Sequence, residues 1–164
     1  MRNVFLSYQI FDFIAIFCPF YPTPQKIVAQ KPKTISSKEE FEVIKTHCMQ
    51  GANMLRRLEN FEDEPLLQTA YDIARWHHER WDGRGYPDGL KGNDIPISAQ
   101  IVSLADVYDA LTSERCYKEA FSHETAMRMI LNGECGAFNP LLLECLTDIQ
   151  AELQKKLQNI TVNR

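Results

Sequence analysis

The stretch His77-His78-Glu79-Arg80-Trp81-Asp82-Gly83-Arg84-Gly85-Tyr86-Pro87-Asp88-Gly89-Leu90-Lys91-Gly92 decides how this chain is read. It opens on two adjacent histidines and runs into backbone breakers at Gly83, Gly85, Pro87, Gly89, Gly92 and Pro96, too many for a regular element. Residues 81–96 therefore read as a shaped loop of about 16 residues, and a loop of that length inside a compact domain is usually functional. Two consecutive helical side chains point about 100° apart, so His77 and His78 cannot both simply face a core. As a pair they suit a metal ion.

Upstream of the loop, residues 65–78 place Leu66, Ala70, Ile73 and His77 on one helical face, and Pro65 suits a first helical turn. Further upstream, Ser37-Lys38-Glu39-Glu40 has the form of a capping box, in which a serine hydroxyl and a glutamate carboxylate satisfy opposing backbone amides. Phe41, Ile44, Cys48, Ala52 and Leu55 follow at steps of three and four, with His47 at the edge of that stripe and expected to point inward. Downstream, the helical period returns from Ser98 through Ile101, Leu104, Ala105, Tyr108 and Leu111, with Asp106 and Asp109 one turn apart beside it. Helices over Ser122 to Leu131 and from Pro140, capped by Asn139, to about Asn159 complete the set. Nothing alternates with period two, so the expected fold is all-α, a helical bundle with a long Gly/Pro-rich loop after its second recognised helix.

The bulk properties narrow the function. A 164-residue chain is long enough for one globular core, and a net charge of -4 with a pI near 5.6 gives no global field to attract a nucleic acid polymer or an anionic membrane. Phosphate binding therefore has to be local. The five cysteines, Cys18, Cys48, Cys116, Cys135 and Cys145, contain no C-x-x-C pair, and their odd number argues against a disulfide framework, so a reducing cytoplasm is expected. The alternative is membrane association through the mostly apolar Val4 to Tyr21, but Ser7, Gln9 and Asp12 interrupt that run.

His47, His77-His78 and Asp106 lie on three separate predicted helices and together offer imidazole nitrogens and a carboxylate, the way helical bundles assemble metal sites. Singly, His47 reads more readily as a satisfied core histidine and Asp106 as a cap or a lysine partner. Imidazole and carboxylate donors suit a divalent ion of the Fe, Mn or Zn class, which favours hydrolysis of a phosphodiester.

The 77–92 stretch resembles the H-H-E-x-x-D-G-x-G-Y-P-x-G-L-x-G signature of HD-GYP domains, metal-dependent phosphohydrolases whose typical substrate is cyclic di-GMP. The resemblance covers residues 24–140. It extends through Ile95-Pro96, Ala105-Asp106-Val107-Tyr108-Asp109-Ala110-Leu111-Thr112 and Arg115-Cys116-Tyr117-Lys118, and upstream through Glu40 to His47 with Gly51. It implies an HD-domain-like helical bundle, with His47, His77, His78 and Asp106 as metal ligands and Arg115 and Lys118 on substrate phosphate. Arg and Lys at i, i+3 are chemically apt for that task. The resemblance further implies that Gly85, Tyr86 and Pro87 position the substrate, cyclic di-GMP or a related cyclic dinucleotide, and dock diguanylate cyclase-type domains. Glu79, Asp82 and Asp109 are expected behind the ligands, with Glu79 and Asp82 either orienting the histidines or capping the loop.

One part of the pattern departs from the family. Setting Pro24-Gln25-Lys26-Ile27 against the family's P-x-x-I puts the expected His-Asp pair on Ile16 and Phe17, neither of which ligates a metal. The expectation is a divergent hydrophobic segment over residues 1–23, a partial HD-GYP domain over 24–164, one bound ion rather than two, and impaired hydrolysis. The alternative is a non-catalytic module that binds a cyclic dinucleotide or a protein.

Overall fold

A computed structural model describes residues 38–58, 63–113 and 119–162. Residues 1–23, Ser37 of the expected capping box, and Arg115 and Lys118 lie outside them. Among the described residues there are five α-helices and no strand: α1 (Lys38–Arg56), α2 (Pro65–Trp76), α3 (Ile97–Thr112), α4 (His123–Leu131) and α5 (Pro140–Val162). The expected all-α architecture is what is observed. No described helix is long and apolar enough to cross a membrane.

Two apolar clusters hold the helices. Ala52 and Leu55 of α1 meet Ala70 and Tyr71 of α2, with Leu67, Ala74 and Trp76 packed around them. Leu104 and Leu111 of α3 meet Ala126, Met127 and Ile130 of α4, closed by Phe138 and by Leu146 of α5. Leu55 and Ile130 are fully buried, which stabilises the fold by about 1.5–3 kcal/mol each. The α4 N-terminus is capped by Ser122, whose Oγ accepts from the Thr125 amide at 3.2 Å. At the start of α5, Asn139 Oδ1 accepts from the Leu141 amide at 3.0 Å, and its Nδ2 donates to Gln100 Oε1 at 2.8 Å, tying α5 to α3.

The stripes expected on these helices need correction. Leu66 is 71% exposed, Ile101 is 50% exposed, and Phe41 and Ala105 are also exposed. The buried face of α3 is instead Ala99, Gln100, Val102, Ser103, Leu104, Leu111 and Thr112. Polar residues take inward positions there because partners exist for them. Gln100 Nε2 donates to the Ile95 carbonyl at 2.7 Å, and Ser103 Oγ accepts from Arg80 Nη1 at 2.6 Å. A buried polar group so paired no longer carries its desolvation penalty.

The segment after α2 folds back on the helix that precedes it. Arg75 grips Asp88 through Nε and Nη2 at 2.8 and 3.0 Å, and Trp76 Nε1 donates to the same carboxylate at 2.7 Å. Gly85 is obligatory: a Cβ there would lie 2.6 Å from the Glu79 carbonyl carbon and closer still to Glu79 Cα and the Arg80 nitrogen. This close approach brings Tyr86 over the end of α2, where its amide donates to the His78 carbonyl at 3.3 Å.

Candidate metal centre

His47 comes from the middle of α1 and His77 caps the C-terminus of α2, with His78 following it. The packing of α1 on α2 buries His47 and His77 to 4% and 6% exposure. His47 Nδ1–H donates to the Ile44 carbonyl at 2.6 Å and His77 Nδ1–H to the Ile73 carbonyl at 2.8 Å. A carbonyl only accepts, so both rings carry a hydrogen on Nδ1. Their Nε2 atoms face one another at 3.3 Å. Two lone pairs at that distance repel unless a cation, a proton or a metal ion, lies between them.

His78 completes the group, its ring centroid 4.1 Å from that of His77 and 5.0 Å from that of His47. Cys48 joins them, with Sγ 3.4 Å from His47 Nε2, and the potential donor atoms of His47, Cys48, His77 and His78 all lie within 4.8 Å of one another. Burial, together with the neighbouring imidazoles, pushes His77 down to about 4 and His78 down to about 2. Both are therefore neutral at pH 7, the form in which imidazole binds a metal. This cluster of nitrogen and sulfur donors, buried except for the half-buried His78, fits a divalent ion of the borderline-soft first-row class.

The other expected residues are placed differently. Asp106 is not one of the four clustered donors; its carboxylate acts electrostatically on Arg80. Backbone carbonyls hold the Nδ1 hydrogens of His47 and His77, and Glu79 takes the other of its two expected roles. It caps the loop: Oε1 accepts from the Asp88 amide at 2.7 Å and the Gly89 amide at 3.0 Å. Burial pushes its carboxyl above the usual range, against those two amides, which favour the charged form. Asp82 accepts from the Arg84 amide at 3.1 Å, and Asp109 accepts from Ser113 Oγ at 2.8 Å. Tyr86 packs on His78 with centroids 4.8 Å apart, and Lys45 Nζ stands 5.7 Å from the Tyr86 ring centroid.

Sequence reasoning missed two participants. Cys48 reads from the sequence as part of the apolar stripe, and the structure brings it into the histidine cluster instead. Arg80, half of whose interest lies in burial, donates to Ser103 Oγ and, at 3.1 Å, to the Glu79 carbonyl, and sits 5.4 Å over the Phe138 ring. It locks the residues after the histidines to α3.

Comparison with known proteins places this geometry in context. A family model described as an HD domain matches residues 20–137. The chain is 45% identical over 108 residues to a probable cyclic di-GMP phosphodiesterase of Vibrio cholerae, covering 65% of this chain and 24% of that protein. It is 41% identical over 119 residues to a cyclic di-GMP phosphodiesterase of Thermotoga maritima, covering 73% and 31% respectively. It is 36% identical over 121 residues to a 3'3'-cGAMP-specific phosphodiesterase of Vibrio cholerae, covering 74% and 22%. The chain thus spans about a quarter to a third of the length of these relatives.

Proposed function

The chain belongs to the HD domain family, in its HD-GYP branch, and from that premise we propose that it is a metal-dependent phosphohydrolase acting on the phosphodiester of cyclic di-GMP or a related cyclic dinucleotide. The observation that carries this reading is the convergence of His47, His77 and His78, the first two buried and fixed through Nδ1 so that their Nε2 atoms face one another at 3.3 Å. These residues would hold one divalent ion of the Fe, Mn or Zn class, with Asp106 a proposed additional ligand from α3. When bound, such an ion supplies Lewis acidity toward water and toward a phosphoryl oxygen.

The chain's own residues supply the rest. Ile44 and Ile73 carbonyls keep the imidazole lone pairs aimed inward, so less ordering is required when a ligand arrives. Tyr86, packed on His78, shields the cluster on one side and presents an aromatic face beside the Lys45 ammonium, a combination suited to a nucleobase and its phosphate. Arg115 and Lys118 are proposed to grip substrate phosphate. The loop tip, where the Arg84 side chain is exposed, is the proposed docking point for diguanylate cyclase-type domains.

The test is cyclic di-GMP turnover by the purified chain supplied with Mn(II) or Fe(II), beside His77→Ala. Turnover that requires metal and vanishes in the variant supports the proposal. Equal turnover in the variant, or none in the metal-loaded wild type, overturns it.

A further inference from the structure

We infer that Cys48 is a protein ligand of the metal centre, its thiolate supplying the negative charge that three imidazoles lack. The inference rests on the reading of the histidine cluster as a metal site and concerns the donor set of that site in this chain.

Position argues for it first. Cys48 is 0% exposed, yet it is a member of neither apolar cluster. Its sulfur instead faces imidazole nitrogen, at 3.4 Å from His47 Nε2. Metal–nitrogen bonds of about 2.0–2.1 Å and metal–sulfur bonds of about 2.3 Å give tetrahedral edges of about 3.3–3.4 Å between nitrogens and about 3.5 Å between nitrogen and sulfur. The observed Nε2···Nε2 and Sγ···Nε2 separations, 3.3 and 3.4 Å, are close to both. The two edges share His47 Nε2, and the donor atoms of Cys48 and His77 lie within 4.8 Å of one another, so we place one ion between all three.

Charge argues for it second. The clustered imidazoles bring no charge, so a divalent ion held by them keeps its full charge in a poorly solvating site unless an anionic donor joins them, and Cys48 stands within the cluster while Asp106, proposed as a further ligand, is not one of its four donors. Cys48 carries the one group among the four clustered donors that becomes anionic on binding. On binding, its S–H bond gives way to a sulfur–metal bond and one proton leaves to solvent. A thiolate also biases the site toward Zn, Fe or Co over the harder Mn and Mg.

The probe is Co(II), titrated into the metal-free 164-residue chain and followed by absorption. The inference predicts a near-ultraviolet thiolate-to-cobalt charge-transfer band alongside the visible ligand-field bands. In Cys48→Ser the charge-transfer band disappears while ligand-field bands remain, and Co(II) affinity falls by at least the roughly 10–100-fold seen when a ligand loses its supporting hydrogen bond. A chain with Cys18, Cys116, Cys135 and Cys145 all changed to serine keeps the band. Ligand-field bands without charge transfer in the wild-type chain overturn the inference while leaving the metal centre standing, and this arm needs no variant to fold. A charge-transfer band that survives Cys48→Ser also overturns it. Unchanged Co(II) binding in His77→Ala, or no binding by the wild type, overturns the metal centre itself and the inference with it.

Discussion

Replacing Gly85 by alanine tests how the long loop is held over the histidines. The added Cβ would meet the Glu79 carbonyl carbon at 2.6 Å, with Glu79 Cα and the Arg80 nitrogen nearer still. Ordinary carbon–carbon contact begins near about 3.5 Å, so the overlap is roughly 1 Å or more, and it falls on backbone that no rotamer change can clear. Forced overpacking of this kind costs about 1–3 kcal/mol, and the upper end is expected here because the loop is also pinned at Asp88 by Arg75 and Trp76. For a chain of this size about 3 kcal/mol lowers Tm by roughly 6–12 °C. Gly92→Ala is the control: its φ of +57° carries a conformational cost of about 1–2 kcal/mol, but nothing lies within 4 Å of the new methyl. Thermal melts followed by circular dichroism should rank Gly85→Ala well below Gly92→Ala. Equal melting temperatures for the two variants, or a Gly85→Ala value within 2 °C of wild type, would refute the packing argument.

Two further outcomes follow from the buried polar groups. With folded-state values of about 4 for His77 and about 2 for His78 against an unfolded value of 6.5, both states are neutral above pH 6.5. Below it the unfolded chain takes up protons that the folded chain refuses, so stability of the metal-free protein falls by about 1.4 kcal/mol per pH unit per histidine, which amounts to about 2 kcal/mol each by pH 5. Urea unfolding at pH 7 and pH 5 measures this, and His77→Gln should remove about half of the slope; a flat profile contradicts the burial of neutral imidazoles. Asn139→Ala removes the acceptor for the Leu141 amide and orphans Gln100 Oε1, and should cost about 1–3 kcal/mol by urea unfolding, whereas an exposed substitution such as Thr147→Ala on α5 stays within about 0.5 kcal/mol.

The site was more legible in the sequence than the core around it. His47 could be turned inward because it flanks a stripe that ends in Cys48, Ala52 and Leu55, all of which are fully buried. The adjacent His77 and His78 could be singled out because no single apolar face accommodates both. What periodicity could not supply was which neighbour covers each face. Leu66 and Ile101 carry the right period and are exposed, while Gln100 and Ser103 lie inward because the nearby Ile95 and the distant Asn139 and Arg80 bring them partners. The duty assigned to Glu79 depended on the same kind of information. Helical geometry gives His47 and His77 carbonyl partners three and four residues back, which leaves the glutamate for the Asp88 and Gly89 amides across the loop.

The most direct test of the central claim pairs metal content with catalysis on one preparation. Wild-type chain and His77→Ala, each equilibrated with Fe(II) or Mn(II) and freed of excess, are analysed for bound metal and then assayed with cyclic di-GMP. The account predicts about one ion per wild-type chain with hydrolysis to a linear dinucleotide, and loss of both metal and turnover in the variant. Hydrolysis that proceeds at the wild-type rate in metal-free protein or in His77→Ala would contradict it.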